Sequence, residues 1–374
     1  MSGNSFGKAL VLTTFGESHG VATGGVLDGF PSNIDIDPAF LQAEVNRRKP
    51  GSGPFSSSRE ETDSIEILSG IFEGKSTGAP IAFLVRNTGH RPEDYDHLKN
   101  VYRPSHADYT YQQKYGIRDH RGGGRASARE TLARVVGGAF AKILLDRQNI
   151  AIHSRIAQIG PFEIPSPFAH TSDMGPESQA TKTGSPIRDR VDPYLKTGYL
   201  PAPVLEFLEQ LKKEGDSTGG VISCNISGAP VGLGEPVFDK LQADLAKAML
   251  SIGAAKGFEY GSGFQAATMK GSEHNDPILT RDGKAQTLTN HSGGIQGGIS
   301  NGEEIYFRVA FKPVPTLFQQ QNTIASDGSP VSLQGKGRHD VCLVFRALPI
   351  VEAMAALVLA DHLIRKSLAE STPL

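Results

Sequence analysis

Three short segments carry side chains whose types and spacing could do chemistry. Gly16-Glu17-Ser18-His19-Gly20 sets a histidine, a group that titrates near neutrality, beside a serine in a glycine frame. The segment also has the G-x-S-x-G form of a serine-hydrolase elbow, which needs strand, sharp turn and helix in that order. Val21-Ala22-Thr23-Gly24-Gly25 is too glycine-rich to begin such a helix, and a turn bearing a solvated histidine accounts for the same residues. The second segment runs from Arg121-Gly122-Gly123-Gly124-Arg125 through Ala126-Ser127-Ala128-Arg129-Glu130. Free N–H groups of a glycine turn leading into a helix N-terminus make an anion cradle, and flanking arginines add charge and bidentate donors. A phosphate or a carboxylate suits it; the plainer account is a solvated basic helix face behind a glycine loop. Arg134, a turn beyond the cap, reads as surface or salt bridge. The third segment, Gly335-Lys336-Gly337-Arg338-His339-Asp340, is by itself an ordinary charged turn. His106 in Arg103-Pro104-Ser105-His106-Ala107-Asp108 is equally mute alone, because a histidine beside an aspartate is more often hydrogen-bonded structure than catalyst. No clustered Cys/His spacing suggests a metal, and the P-loop pattern is absent.

The elements that must position these residues follow from pattern. Ala9 to Thr14 reads as a strand ended by Gly16, with a glycine-rich loop after it. Asp37 and Pro38 are an N-cap and first helical residue, and the helix to Arg48 delivers Arg47, Arg48 and Lys49 at its C-terminus. Ile65–Ile71 and Ile81–Arg86 suggest a hairpin across Glu73 and Gly74, and Gly89 to Pro104 a loop. Ser127 and Glu130 have the spacing of a capping box for a helix with Leu132, Val135, Val136, Ala139, Phe140, Ile143 and Leu144 on one face. Strands are expected at Ala151–Ile159, Gly220–Ile226, Phe264–Lys270, Glu304–Phe311 and Val341–Leu348, and helices at Val204–Lys213, Val237–Ser251 and Pro349 to about Lys366. Strict βαβ alternation is missing, which favours α+β layers over a doubly wound sheet. The Pro/Ser/Thr/Asp-rich stretch from Pro161 to Pro203 reads as a surface excursion.

Composition limits what such residues could serve. With 374 residues the chain can bury a sizeable core, and 38 Lys+Arg against 40 Asp+Glu leave no global field to draw it to nucleic acid or an anionic membrane. Anion affinity must be local. Two cysteines and an N-terminal stretch lacking signal-peptide regions point to the cytoplasm. The apolar stretch from Leu348 to Ile364 is interrupted by Glu352 and Asp361 and reads as a buried helix, not a membrane span.

Taken jointly, the three segments resemble the chorismate synthase family. Gly16–Gly20 followed by Val26-Leu27-Asp28-Gly29-Phe30-Pro31 is similar to its N-terminal signature, Gly124 to Thr131 to its central one, and Arg338-His339-Asp340-Val341-Cys342 through Ile350-Val351-Glu352-Ala353 to its C-terminal one. Arg47-Arg48-Lys49-Pro50-Gly51, Arg103 to Arg125, Gly232 to Phe238 and Asn290 to Gly302 are further similar blocks, in order along the chain. The resemblance implies a lyase that converts 5-enolpyruvylshikimate 3-phosphate to chorismate and phosphate by anti-1,4-elimination. This is the last common step of aromatic amino acid biosynthesis, and it requires reduced FMN without net redox change. It implies that His19 protonates departing phosphate, His106 protonates the reduced flavin, and Asp340 assists proton removal at the flavin. Arg48 and Arg59 would hold substrate anions. Arg125, Ala126, Ser127, Gly253, Ala254, Gly297, Lys312, Pro313, Val314, Pro315, Thr316 and Arg338 would approach FMN. Pro54 stands where many members have arginine, Gly253 where proline or asparagine is common, and Lys312–Thr316 replaces a more hydroxyl-rich run. The resemblance further implies an α+β fold, a β-α-β sandwich with a pseudo-repeated core, expected as one domain over residues 1–374. A homotetramer is implied, as is NADPH feeding the flavin through a separate reductase. The rivals on the residues alone are a serine hydrolase using Ser18 and an RNA binder using the Gly/Arg loop, the latter disfavoured by the near-neutral charge.

Overall fold

A computed structural model describes residues 3–49, 55, 63–88, 92–165, 200–281, 283–335 and 340–370. Two five-stranded antiparallel sheets form, one from each half of the chain. The first takes β1 (Ser5–Phe6), β2 (Val11–Gly16), β3 (Ala22–Asp28), β4 (Glu66–Ile67) and β5 (Ile81–Arg86) in the spatial order β1-β2-β3-β5-β4. The second takes β6 (Ala151–Ile159), β7 (Phe162–Glu163), β8 (Gly220–Ser227), β9 (Ala255–Tyr260) and β10 (Ile305–Phe311) in the order β9-β10-β8-β6-β7. Helices α1 (Pro38–Arg48), α2 (Asp108–Tyr115), α3 (Thr131–Asp146), α4 (Ala202–Glu214), α5 (Leu241–Leu250) and α6 (Val344–Glu370) complete the frame. Between the sheets, α3 packs on β2 and β3, α6 packs on β6 and β8, and the two helices pack on each other. This is the expected α+β sandwich.

Local chemistry explains most of the elements. Asp37 accepts a hydrogen bond from the Ala39 N–H at 2.9 Å, and Pro38 opens α1 as its fixed φ allows. β10 alternates buried residues with half-buried or exposed ones, as a strand with one face on the core must. The turn at Glu73 and Gly74 closes a small hairpin of Ile71–Phe72 with Lys75–Ser76, while β4 pairs with β5 directly.

Four expectations give way to tertiary packing. The glycine-rich stretch after Gly20 is β3, the central strand of its sheet, and not a loop. A Cβ on Gly24 would stand 2.3 Å from the Phe83 carbonyl oxygen, and one on Gly25 2.8 Å from the Phe83 ring, so close packing requires glycine there. Phe264–Lys270 is no strand: Gly263–Thr268 is a 3₁₀ turn with Phe264 exposed, and the strand beside β10 is β9. Within Gly89–Pro104, Pro92–Leu98 forms a 3₁₀ helix. Finally, α6 starts at Val344, so the Val341–Leu348 run is mostly helix and Pro349 lies inside it. A continuous apolar run carries no period of two, and burial on all sides offsets the one backbone bond that proline removes. From Val344 to Ile364 only Arg346 is not buried, as the stretch's reading as a core helix requires. Residues 166–199 of the polar excursion lie outside the described residues.

Candidate active site

The turn between β2 and β3 places His19, whose side chain is buried. Ser18 Oγ lies 3.1 Å from His19 Nδ1, and Tyr95, on the 3₁₀ helix, packs edge-on against the imidazole with centroids 4.7 Å apart. Because a strand follows this turn where an elbow needs a helix, the serine-hydrolase reading of Ser18 does not hold. Against His19 lies the backbone of Gly122, at φ +71°. Gly122 and Tyr95, with residues from both sheets and from α6, line a cavity of about 1010 Å³.

His106 lines the same cavity, on the turn before α2. Its Nδ1 faces Asp108 Oδ1 at 3.3 Å. Asp108 is gripped by Arg103 through Nε at 2.7 Å and Nη2 at 2.8 Å, with Arg118 Nη1 3.1 Å from Oδ1. Burial works to raise the Asp108 pKa, but the Arg103 hydrogen bonds, the close approach of His106 and the charge of Arg103 hold it well below the usual carboxylate range.

The arginine–glycine loop and the end of α1 bring the cations. Gly122, Gly123 and Gly124 all take positive φ, which lets the chain double back before Arg125. Arg125 donates to the carbonyls of Gly16 and Thr14, to Thr14 Oγ1 at 2.7 Å and to Asn4 Oδ1 at 3.0 Å, acceptors that are all neutral. Ser127 Oγ caps the next turn by accepting from the Arg129 N–H, whereas the Glu130 carboxylate turns to Arg134 and Thr14, so the reciprocal capping box is not made. Arg48 is wholly buried yet reaches the cavity, donating to Thr131 Oγ1 at 3.2 Å and standing 3.5 Å from Asp63.

The remaining expected residues divide. Asp340, Ala126, Gly253, Ala254, Lys312, Val314, Pro315 and Thr316 line the cavity, and a Cβ on Gly253 would meet nothing within 4 Å. Lys312 donates to the Ser105 carbonyl at 2.7 Å; burial, then the charge of Lys256, holds its pKa below the ordinary lysine value. Pro313 does not line the cavity, nor does Gly297, which sits in the tight hairpin of Ile295–Gln296 with Ile299–Ser300. Arg59 and Arg338 lie outside the described residues, as does Pro54. Four lining cations escaped the sequence reading: Arg103, Arg134, Lys247 and Arg346, the last donating to Asp340 at 2.9 Å. Only Arg103 had a local signal, sharing a segment with His106. Arg134 does make the expected salt bridge, to Glu130 at 3.0 Å, while also facing the cavity. The lining thus sets seven Lys and Arg side chains against two carboxylates, Glu130 and Asp340, among the described residues.

An α+β protein with a strongly cationic cavity between its two sheets is the class of protein this fold and site define. Residues 10–364 match the family model described as chorismate synthase. The chain is 53% identical over 363 residues to a chorismate synthase of Cytophaga hutchinsonii, covering 97% of this chain and 98% of that one. It is 53% identical over 363 residues to one of Christiangramia forsetii, with the same coverage of 97% and 98%. A crystal structure of chorismate synthase superposes with a TM-score of 0.71 at 32% identity, over 96% of this chain and 93% of the other. The chain belongs to the chorismate synthase family. It is accordingly a carbon–oxygen lyase of aromatic amino acid biosynthesis that converts 5-enolpyruvylshikimate 3-phosphate to chorismate.

Proposed function

We propose that the cavity holds 5-enolpyruvylshikimate 3-phosphate together with reduced FMN and performs an anti-1,4-elimination of the 3-phosphate and a C6 hydrogen. The observation that carries this reading is the excess of seven cations over two carboxylates in one cavity of about 1010 Å³. Substrate and flavin together bring two phosphates and two carboxylates, and desolvating them demands fixed counter-charges. The donor set fits the flavin as well. Arg125 carries a charge that its neutral partners leave uncompensated, and the open space over Gly253 admits a flat group. Reduced FMN, when bound, lends the transient electron that no side chain supplies readily.

The side chains divide the proton work. His19 donates to the departing phosphate, which leaves more readily when protonated. His106 would hold a proton for the cofactor, and Asp340, which Arg346 bonds at 2.9 Å, would accept a proton in the same cavity. Arg48, with Arg59, binds substrate anions; Arg125, Ala126, Ser127, Gly253, Ala254, Lys312, Val314, Pro315, Thr316 and Arg338 are assigned to the flavin. One domain over residues 1–374 performs all of this, in the cytoplasm, with NADPH feeding the flavin through a separate reductase. The protein works as a homotetramer, an assembly that would cover exposed apolar side chains such as Phe238 and Phe264.

Chorismate formation with photoreduced FMN under anaerobic conditions tests the reading. Many turnovers per flavin are expected, with phosphate and chorismate released one for one. About one product per FMN, with the flavin left oxidised, contradicts it and marks an ordinary redox enzyme.

A further inference from the structure

The imidazole of His106 is clamped between a carboxylate and a glycine. On one side its Nδ1 is buried, makes no well-formed hydrogen bond, and faces Asp108 Oδ1 at 3.3 Å. On the other, a Cβ on Gly123 would stand 2.8 Å from its Cε1 and 3.2 Å from its Nε2, so only glycine leaves room for the ring. Ser105 at φ +56° forms the turn that brings His106 to this slot, and Asp108 opens α2. Asp108 Oδ1 is also the oxygen on which Arg103 Nη2 and Arg118 Nη1 converge, at 2.8 Å and 3.1 Å. Arg118 is in turn pinned through Nη2 to the carbonyls of Leu98, Lys99 and Val101.

We infer that Asp108 is a positioning residue for His106, fixing Nδ1 as the nitrogen that carries the proton in the neutral ring and leaving Nε2 as the nitrogen presented at the Gly123 side of the cavity. Arg103 and Arg118 hold the carboxylate in place. Asp108 stays ionised throughout the working pH range, because its pKa is held well below the usual carboxylate range. A carboxylate can only accept from Nδ1, and an imidazole hydrogen-bonded in this way has one tautomer and one orientation. The 3.3 Å contact is long for a hydrogen bond, and such contacts tighten when ligand fills the site. The inference rests on the assignment of His106 to proton transfer, so its test must separate the two.

The direct readout needs no substitution at Asp108. In enzyme labelled with ¹⁵N-histidine, with the His106 resonances identified by their loss in His106→Ala, the neutral ring should carry its proton on Nδ1. A proton on Nε2 overturns the inference whatever the activity. Asp108→Asn should then mix the tautomers and lower kcat by about 10²- to 10⁴-fold, the range for losing a general acid, with KM changed little. Asp108→Glu should recover part of the loss. The groups facing His106 are Asp108, Arg103, Arg118 and, through Ser105, Lys312, and the pH–rate profile should shift in Asp108→Asn. In the double variant His106→Ala/Asp108→Asn the two losses should not add, since each removes the same function. Near wild-type turnover in His106→Ala refutes the role of His106 itself. A slow His106→Ala beside an Asp108→Asn that keeps tautomer and rate leaves that role standing and refutes the positioning. Additive losses mean that Asp108 serves only the loop structure.

Discussion

Gly122 lies flush against the imidazole of His19: a Cβ at that glycine would fall 2.2 Å from both Nδ1 and Cε1 of the ring. The backbone of the arginine–glycine loop therefore forms one wall of the histidine's slot. Gly122→Ala should displace His19, and the positive φ of +71° adds a strain of about 1–2 kcal/mol. Turnover should drop by about 10²-fold or more, as for loss of a general acid, while circular dichroism shows a folded protein. A kcat within twofold of wild type would show that His19 need not stay where the structure puts it.

Arg125 and Arg134 both reach the cavity, but only Arg134 has a carboxylate partner, Glu130 at 3.0 Å. Arg125→Ala should accordingly weaken FMN binding more than Arg134→Ala does, since the partners of Arg125 are neutral. Fluorescence quenching of oxidised FMN measures both. Equal losses would mean that general basicity, and not the cradle, attracts the flavin.

Behind the site, α1, α3 and α6 share a buried charge cluster. Lys142 Nζ lies 2.5 Å from Glu44 and 2.7 Å from Glu352, and Arg47 bonds both carboxylates, at 2.9 Å and 2.7 Å. Burial works to raise the Glu352 pKa, but Arg47 and Lys142 depress it well below the usual range. Lys142→Met leaves two buried carboxylates facing one guanidinium and should cost about 3–5 kcal/mol near neutrality. The sign with pH is fixed by the depressed pKa. The stability it contributes is full above the unfolded value of about 4.3 and is lost as pH falls through the folded value. The deficit of the variant should therefore narrow below about pH 4, where its glutamates protonate. Denaturant titrations at pH 7 and pH 3.5 decide this, and a constant deficit would contradict it.

Both cysteines are buried, and burial pushes the Cys342 thiol up to about 12 and the Cys224 thiol well above its ordinary value. The thiolate is the reactive form, so neither should react with an aromatic disulfide reagent at pH 8 until denaturant is added. Rapid labelling of either in the folded enzyme, read by mass spectrometry, would show a local opening around α6 or β8.

What the sequence determined by itself was local and chemical. Asp37 and Pro38 announce α1 because a cap and a fixed φ act within three residues, and the alternation of Ile305–Phe311 announces β10 because side chains change face at every residue. The segments holding His19, His106, Arg125 and Asp340 were legible from residue type, and three of the four line one cavity with His19 just behind its wall. Only the tertiary structure decided which residues meet. Gly24 and Gly25 look like loop until Phe83 is laid against them, and Val344–Leu348 looks like strand until helices and sheets cover every side of it. Arg346 reaches Asp340 from a core helix, and Lys247 arrives from α5, with no motif to mark either. Charge convergence arises between residues far apart along the chain, whereas sequence patterns report only the few positions that one turn or one pleat makes neighbours.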